Sequence, residues 1–134
     1  NLIVNNLNNN ILSCLWYNIA TMKPFTEKRP WGDFRQFTKN EKSTVKILTI
    51  KPGHEFSLQY HKYRKEFWKI LSGNPKIIIG KKSRKTKNGE EFAVPAKKQH
   101  RVRAGKETAK ILEISFGNFN EKDIVRLKDR YGRA

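Results

Sequence analysis

Cysteine occurs once in this 134-residue chain, as Cys14. That excludes an intramolecular disulfide framework and a multi-thiolate zinc site, and it is compatible with a reducing compartment. Long hydrophobic runs are also missing. The apolar stretch around Ile11 to Trp16 is short, is broken by asparagines and follows no basic residue, so neither a membrane span nor a secretory signal is expected. A cytoplasmic location follows as the expectation. No glycine-rich phosphate loop, internal repeat or sustained helical stripe is present. Acidic side chains are scarce, with 12 Asp and Glu against 29 Lys and Arg, for a net charge of +17.

Such a charge attracts phosphates, nucleic acid or anionic membranes without choosing among them. The densest basic run, Lys81, Lys82, Arg84, Lys85 and Lys87, leads into Asn88-Gly89, a hairpin-turn signal. It reads as a solvated basic loop in preference to a nucleic-acid surface, and no nucleic-acid partner is expected. The length suits one domain with one core, and therefore one site.

Charge divides the chain abruptly. Residues 1–22 carry no Lys, Arg, Asp or Glu and include seven Asn; they read as an uncharged leader ahead of a single domain at 23–134. From Lys23 onward short β-rich runs alternate with Gly and Pro: Thr44 to Ile50, Phe56 to Tyr60, Glu66 to Leu71, Lys76 to Ile79, Glu91 to Val94, a run after His100, and Thr108 to Phe116. Strands at this spacing predict an all-β sandwich, jelly roll or small barrel. Glu121 to Lys128 alone has helical character, with Asn120 placed to cap it, so the C-terminal tail is expected to be helical or irregular. Trp31 and Trp68 are expected in packing roles.

Two of the three histidines fall into a metal-ligating pattern. Gln59 and His61 are two apart in an expected strand and leave the same face. Glu66 opens the next strand, and His100 opens a later one. Two imidazoles, a carboxylate and an amide oxygen form a mixed set suited to a first-row divalent ion, with positions left for water or substrate. A lone histidine is more often a surface or core residue than a ligand, and His54, in the turn after Gly53, reads as exposed. The double arrangement weighs the other way for His61 and His100.

The spacing resembles both halves of the cupin signature. Gly53, five residues, Gln59-x-His61, four residues, Glu66, six residues and Gly73 match the first half, with Gln for the first His. Gly89, Pro95 and His100 match the second, with Lys97 and Ala104 in place of its Gly and Asn. Ser57-Leu58-Gln59-Tyr60-His61 and Arg64-Lys65-Glu66-Phe67-Trp68 are similar to the corresponding segment of type II mannose-6-phosphate isomerases. Arg29-Pro30-Trp31-Gly32 resembles that family's domain opening, and Asp123-Ile124-Val125-Arg126 with Asp129 to Arg133 resembles its closing stretch. The likeness runs over roughly residues 28–133. It departs at Lys62, Tyr63 and Phe67, where the family commonly has histidines.

The resemblance implies a cupin double-stranded β-helix and a proton shift between C1 and C2 of a sugar phosphate. It implies one divalent metal, zinc foremost, with manganese, cobalt or iron as alternatives, at Gln59, His61, Glu66 and His100. Arg64 is the implied catalytic residue. Lys98 and Arg101, flanking His100, are weaker candidates for the substrate phosphate. The general base is not identified, and Glu113 could face either the cavity or solvent. The family usually carries this domain behind a guanylyltransferase that makes GDP-mannose, so a stand-alone isomerase, a homodimer and a possible separate guanylyltransferase are expected. The competing readings are a metal-dependent cupin of other chemistry and a sugar- or polyanion-binding module.

Overall fold

The computed structural model describes residues 24–134; the leader expected at 1–22 lies outside them. Eleven strands and no helix are present in the described residues. None of their segments is a helix long and apolar enough to cross a membrane.

β1 (Phe25–Arg29) and β2 (Gly32–Gln36) form a two-stranded hairpin. β3 (Ser43–Ile50), β5 (Glu66–Ser72), β8 (Glu91–Val94) and β10 (Ala109–Phe116) build a four-stranded antiparallel sheet in the order β3-β10-β5-β8. β4 (Leu58–Tyr60), β6 (Lys76–Ile79), β7 (Lys82–Lys85), β9 (His100–Arg103) and β11 (Val125–Lys128) build a five-stranded sheet in the order β11-β4-β9-β6-β7.

Alternation along each strand sorts side chains between two environments. Trp68 and Ile70 of β5, Phe92 and Val94 of β8, Ile111 of β10, Ile77 and Ile79 of β6 and Val102 of β9 meet in the main core. Each such burial contributes about 1.5–3 kcal/mol. The intervening residues Phe67, Ala93, Ile114 and Phe116 form a second cluster on the other face of the four-stranded sheet, capped by Phe37. Phe37 lies 5.5 Å from the Phe67 ring, and Arg35 pairs with Glu91, so the hairpin is docked on that outer face.

Three expectations are corrected. The basic run is not a loop throughout: Lys82–Lys85 pairs with Lys76–Ile79 as β7, an edge strand. An edge strand needs no apolar alternation and is commonly protected by lysines. The tail forms no helix: residues 121–122 turn, the Asn120 side chain accepts from the Lys122 amide, and Val125–Lys128 pairs with β4. Pairing with a strand edge outweighs the weak helical pattern there. Trp31 does not pack, being 73 % exposed at the tip of the first hairpin, whereas Trp68 is fully buried.

Candidate metal centre

The register of the two sheets assembles the site. Gln59 stands opposite His100 across β4 and β9, and facing residues of an antiparallel pair share a face. His61 follows Gln59 by two and leaves on that face also. From the opposing sheet, Glu66 stands between Ser115 and Val94, so its side chain enters from the other side.

His61, Glu66 and His100 thus converge, all buried, with one ligand atom from each within 4.8 Å of the others. His61 Nε2 lies 3.0 Å from Glu66 Oε1, His100 Nε2 lies 4.0 Å from Glu66 Oε2, and the two rings are 4.8 Å apart. Each imidazole is fixed from behind. His61 Nδ1 donates to the Asp123 carbonyl at 2.6 Å, and His100 Nδ1 donates to the Lys98 carbonyl at 2.9 Å. With Nδ1 committed to a carbonyl, each ring turns Nε2 inward toward Glu66, the arrangement that outer partners impose on metal-bound histidines.

Glu66 is held on both oxygens. Arg64 Nε donates to Oε1 at 3.0 Å and Trp68 Nε1 donates to Oε2 at 3.1 Å. Burial pushes its carboxyl up, yet the His61 hydrogen bond, the His100 and His61 charges and the Arg64 hydrogen bond outweigh that and hold it at about 2. Burial dominates at His100 and lowers it to about 4, against the pull of Glu66. Glu113 faces inward opposite Trp68, hydrogen-bonded to Glu66. Burial and the Glu66 charge raise it to about 8.

Asp123 organises the loop that carries two of these groups. Its carboxylate accepts the amides of Lys62, Tyr63 and Arg64 at 2.8, 3.2 and 3.1 Å, while its carbonyl takes His61. On the opposite side of the loop, the Lys97 amide donates to the His61 carbonyl at 2.6 Å. Lys97 replaces the motif glycine, and it occupies the left-handed region at φ 65°. The closing glycine of the first half-motif, Gly73, has φ 88°, and a Cβ there would meet the Thr108 carbonyl at 2.3 Å.

The other sequence candidates fall as follows. Gln59 Oε1 accepts from Ser57 Oγ at 2.5 Å. Arg64 is buried among Glu66, His61 Nε2 at 3.2 Å, the Asn120 carbonyl and the Phe119 ring. Arg101 leaves the sheet on the face opposite His100 and pairs with Glu55 at 3.3 Å. Lys98 is exposed. His54 is half-buried, stacked on Tyr131 and hydrogen-bonded to its hydroxyl at 2.7 Å. Lys62 and Tyr63 are exposed, and Phe67 lies in the outer cluster, so none of the three positions where family histidines are replaced faces the triad. Sequence reasoning missed Asp123, whose carbonyl contact leaves no side-chain signature, and Trp68 as a donor, although its spacing of two from Glu66 puts both on one face.

The donor set fits a first-row divalent ion: two inward imidazole nitrogens, a carboxylate held below its ordinary range and, at His100 Nε2, a buried nitrogen with no hydrogen-bond partner.

Comparison with known proteins agrees with this geometry. The family described as "Mannose-6-phosphate isomerase C-terminal" matches residues 20–129. The mannose-1-phosphate guanylyltransferase of Klebsiella pneumoniae is 37 % identical over 109 residues, covering 79 % of this chain and 23 % of that protein. The alginate biosynthesis protein AlgA of Pseudomonas aeruginosa is 35 % identical over 108 residues, covering 79 % and 22 %. The chain therefore spans about a quarter of the length of these curated relatives. Among solved structures, oxalate decarboxylase from Bacillus subtilis superposes with a TM-score of 0.56 at 25 % identity, over 65 % of this chain and 24 % of that one. The capsular polysaccharide assembling protein CapF of Staphylococcus aureus gives 0.58 at 17 % identity, over 81 % and 33 %. With the family match spanning most of its length and the two-sheet architecture of the described residues, the chain is a cupin that belongs to the mannose-6-phosphate isomerase C-terminal family.

Proposed function

We propose that this chain is a metal-dependent aldose–ketose isomerase domain interconverting mannose 6-phosphate and fructose 6-phosphate. The observation that carries this reading is the buried His61, Glu66 and His100 triad, with both Nδ1 atoms committed to backbone carbonyls, in a chain of this family. Gln59, on the same face as His100, would be the fourth ligand through its amide oxygen. A divalent ion there, zinc foremost and manganese, cobalt or iron otherwise, supplies Lewis-acid polarisation of the sugar oxygens.

The reaction moves the C2 proton to C1 and the O2 hydroxyl proton to O1, leaving the carbonyl at C2, so it balances without an external oxidant. The chain's own residues prepare the site for it. The Asp123 and Lys98 carbonyls orient the two imidazoles, His61, His100 and Arg64 keep Glu66 ionised, Trp68 and Arg64 hold its two oxygens in place, and the core around Phe92 and Trp68 encloses the site. Arg64 acts through Glu66 and His61, as a positioning residue. The outward placement of Lys62, Tyr63 and Phe67 supports turnover despite the altered histidine pattern, because those positions lie off the inner face.

The relatives' names, among them alginate and xanthan biosynthesis proteins, support a place in the supply of mannose units for polysaccharide precursors. A guanylyltransferase activity, on this polypeptide or a separate one, is the partner function, and the assembly is a cytoplasmic homodimer. The test is NMR observation of mannose 6-phosphate incubated with metal-loaded protein. Fructose 6-phosphate signals growing with time are the expected result. A substrate spectrum unchanged at full metal occupancy would shift the reading to a cupin of other chemistry.

A further inference from the structure

Nine arginines lie within residues 24–134, and eight of them are held. Seven pair with carboxylates, and Arg130 donates to the Gly53 carbonyl. Arg126 is the exception: among the described residues no ion pair or hydrogen bond holds its side chain, and its Nε is buried without an acceptor, as is the Nε of Arg101, whose Nη atoms are paired. Buried donors are rarely left so, and an unmet guanidinium is the group best shaped to accept an oxyanion.

Its position gives that vacancy a direction. Arg126 stands opposite Gln59 across β11 and β4, and Gln59 stands opposite His100 across β4 and β9. The three share one face, so Arg126 belongs to the row that ends at the triad, two strand spacings or about 10 Å from His100. Its neighbours Val125 and Leu127 point the other way, and Leu127 is exposed. β11 is the edge of its sheet, and the ladder shifts register between Arg126 and Lys128. Bulges of this kind re-aim side chains at sheet edges. A dianion at Arg126 can therefore keep part of its hydration while the rest of its molecule reaches inward.

The geometry points to Arg126 as the anion-binding residue of the site, gripping a phosphate monoester at the sheet edge while the opposite end of the substrate meets His61, Glu66 and His100. The identity of the anion as a sugar phosphate rests on the isomerase reading; the anion site itself does not. Of the sequence candidates for the phosphate, Arg101 is on the opposite face and already paired with Glu55, and Lys98 is exposed outside the inner face.

The test is calorimetric titration of the full chain, metal-free so that the ion cannot take the phosphate and again metal-loaded, with inorganic phosphate, mannose 6-phosphate and mannose. Arg126→Gln is expected to weaken both phosphate ligands about 10- to 100-fold in each metal state. Mannose binding and the melting temperature should not change, since Arg126 has no internal partner to lose. Arg126→Lys, which keeps the charge without the fork, should recover part of the affinity. Wild-type phosphate affinity in Arg126→Gln, or no phosphate affinity in the wild type, overturns the assignment. Should the glutamine variant fail to fold, wild-type affinity in Arg126→Lys overturns it equally. Inorganic phosphate binding that depends on Arg126, in a protein that neither binds nor converts mannose 6-phosphate, keeps the anion site and removes the isomerase reading.

Discussion

The carbonyl of Asp123 accepts the Nδ1 proton of His61 at 2.6 Å, while the carboxylate of the same residue holds the three amides that follow His61. One residue of the C-terminal segment therefore sets both the tautomer of the imidazole and the path of the loop that carries it to Glu66. Metal-site partners of this kind are worth about 10- to 100-fold in affinity. Asp123→Ala should weaken zinc binding by about that factor in competition titrations with a chelating dye, and Asp123→Asn, which keeps one acceptor, by less. Equal affinity in all three proteins would show that the loop holds its shape without the carboxylate.

Glu66 and Arg64 form a buried pair, and removing one charge strands the other. Breaking such a pair costs about 3–5 kcal/mol. Glu66→Gln should therefore unfold at markedly lower urea than wild type in the metal-free state, and it should fail to retain a stoichiometric ion after dialysis. A variant with wild-type stability and full metal content would contradict the role given to this carboxylate.

Two motif positions should respond in opposite directions to exchange between glycine and a side chain. Lys97 sits at φ 65°, where a non-glycine residue costs about 1–2 kcal/mol, against about 0.5–1 kcal/mol of extra chain entropy for glycine. Lys97→Gly should stabilise, by up to about 1.5 kcal/mol. At Gly73 the φ of 88° and the Thr108 carbonyl at 2.3 Å from an added Cβ make Gly73→Ala destabilising by more than about 2 kcal/mol. Urea midpoints of the two variants moving in the same direction would contradict this account of the backbone.

Away from the site, Glu90 accepts from Arg84 at 2.9 Å and from the Lys87 amide at 2.8 Å. Burial works to raise its carboxyl, but these hydrogen bonds and the Arg84 and Lys87 charges hold it below its ordinary value. A depressed carboxylate stabilises the fold above its unfolded pKa and loses that contribution as pH falls through the folded one. Glu90→Gln should be less stable than wild type at pH 7, with the gap closing under acid conditions. A gap of constant size from pH 7 to pH 3 would rule the ion pair out as its source.

Much of this was legible in the chain because the signals were local. Lys76–Ile79 and Glu91–Val94 carry β-branched or aromatic residues and end at Gly80 and Pro95, so their strands could be read to the residue. The spacing of His61, Glu66 and His100 drew attention to three side chains that the two sheets do bring together. Elements stabilised from outside were not legible. β7 is a row of lysine, serine and arginine that is a strand only because β6 offers it an edge, and β11 likewise depends on β4. The direction of Glu113 required the register of β10 against β5, and the loss of Arg101 to the outer face followed from His100 facing inward on the same strand. The contact between the Asp123 carbonyl and His61 joins residues 62 apart and has no sequence pattern at all.

The most direct test of a single-ion isomerase is a metal titration of turnover. Metal-free protein is reloaded in steps with zinc, manganese, cobalt or iron, and fructose 6-phosphate formation from mannose 6-phosphate is followed by a coupled assay. The account predicts that, with the competent ion, turnover rises linearly to one equivalent per chain and then stays flat, and that His61→Ala shows neither the rise nor the bound ion. Turnover that persists without metal, or none with any of the four ions at full occupancy, would contradict it.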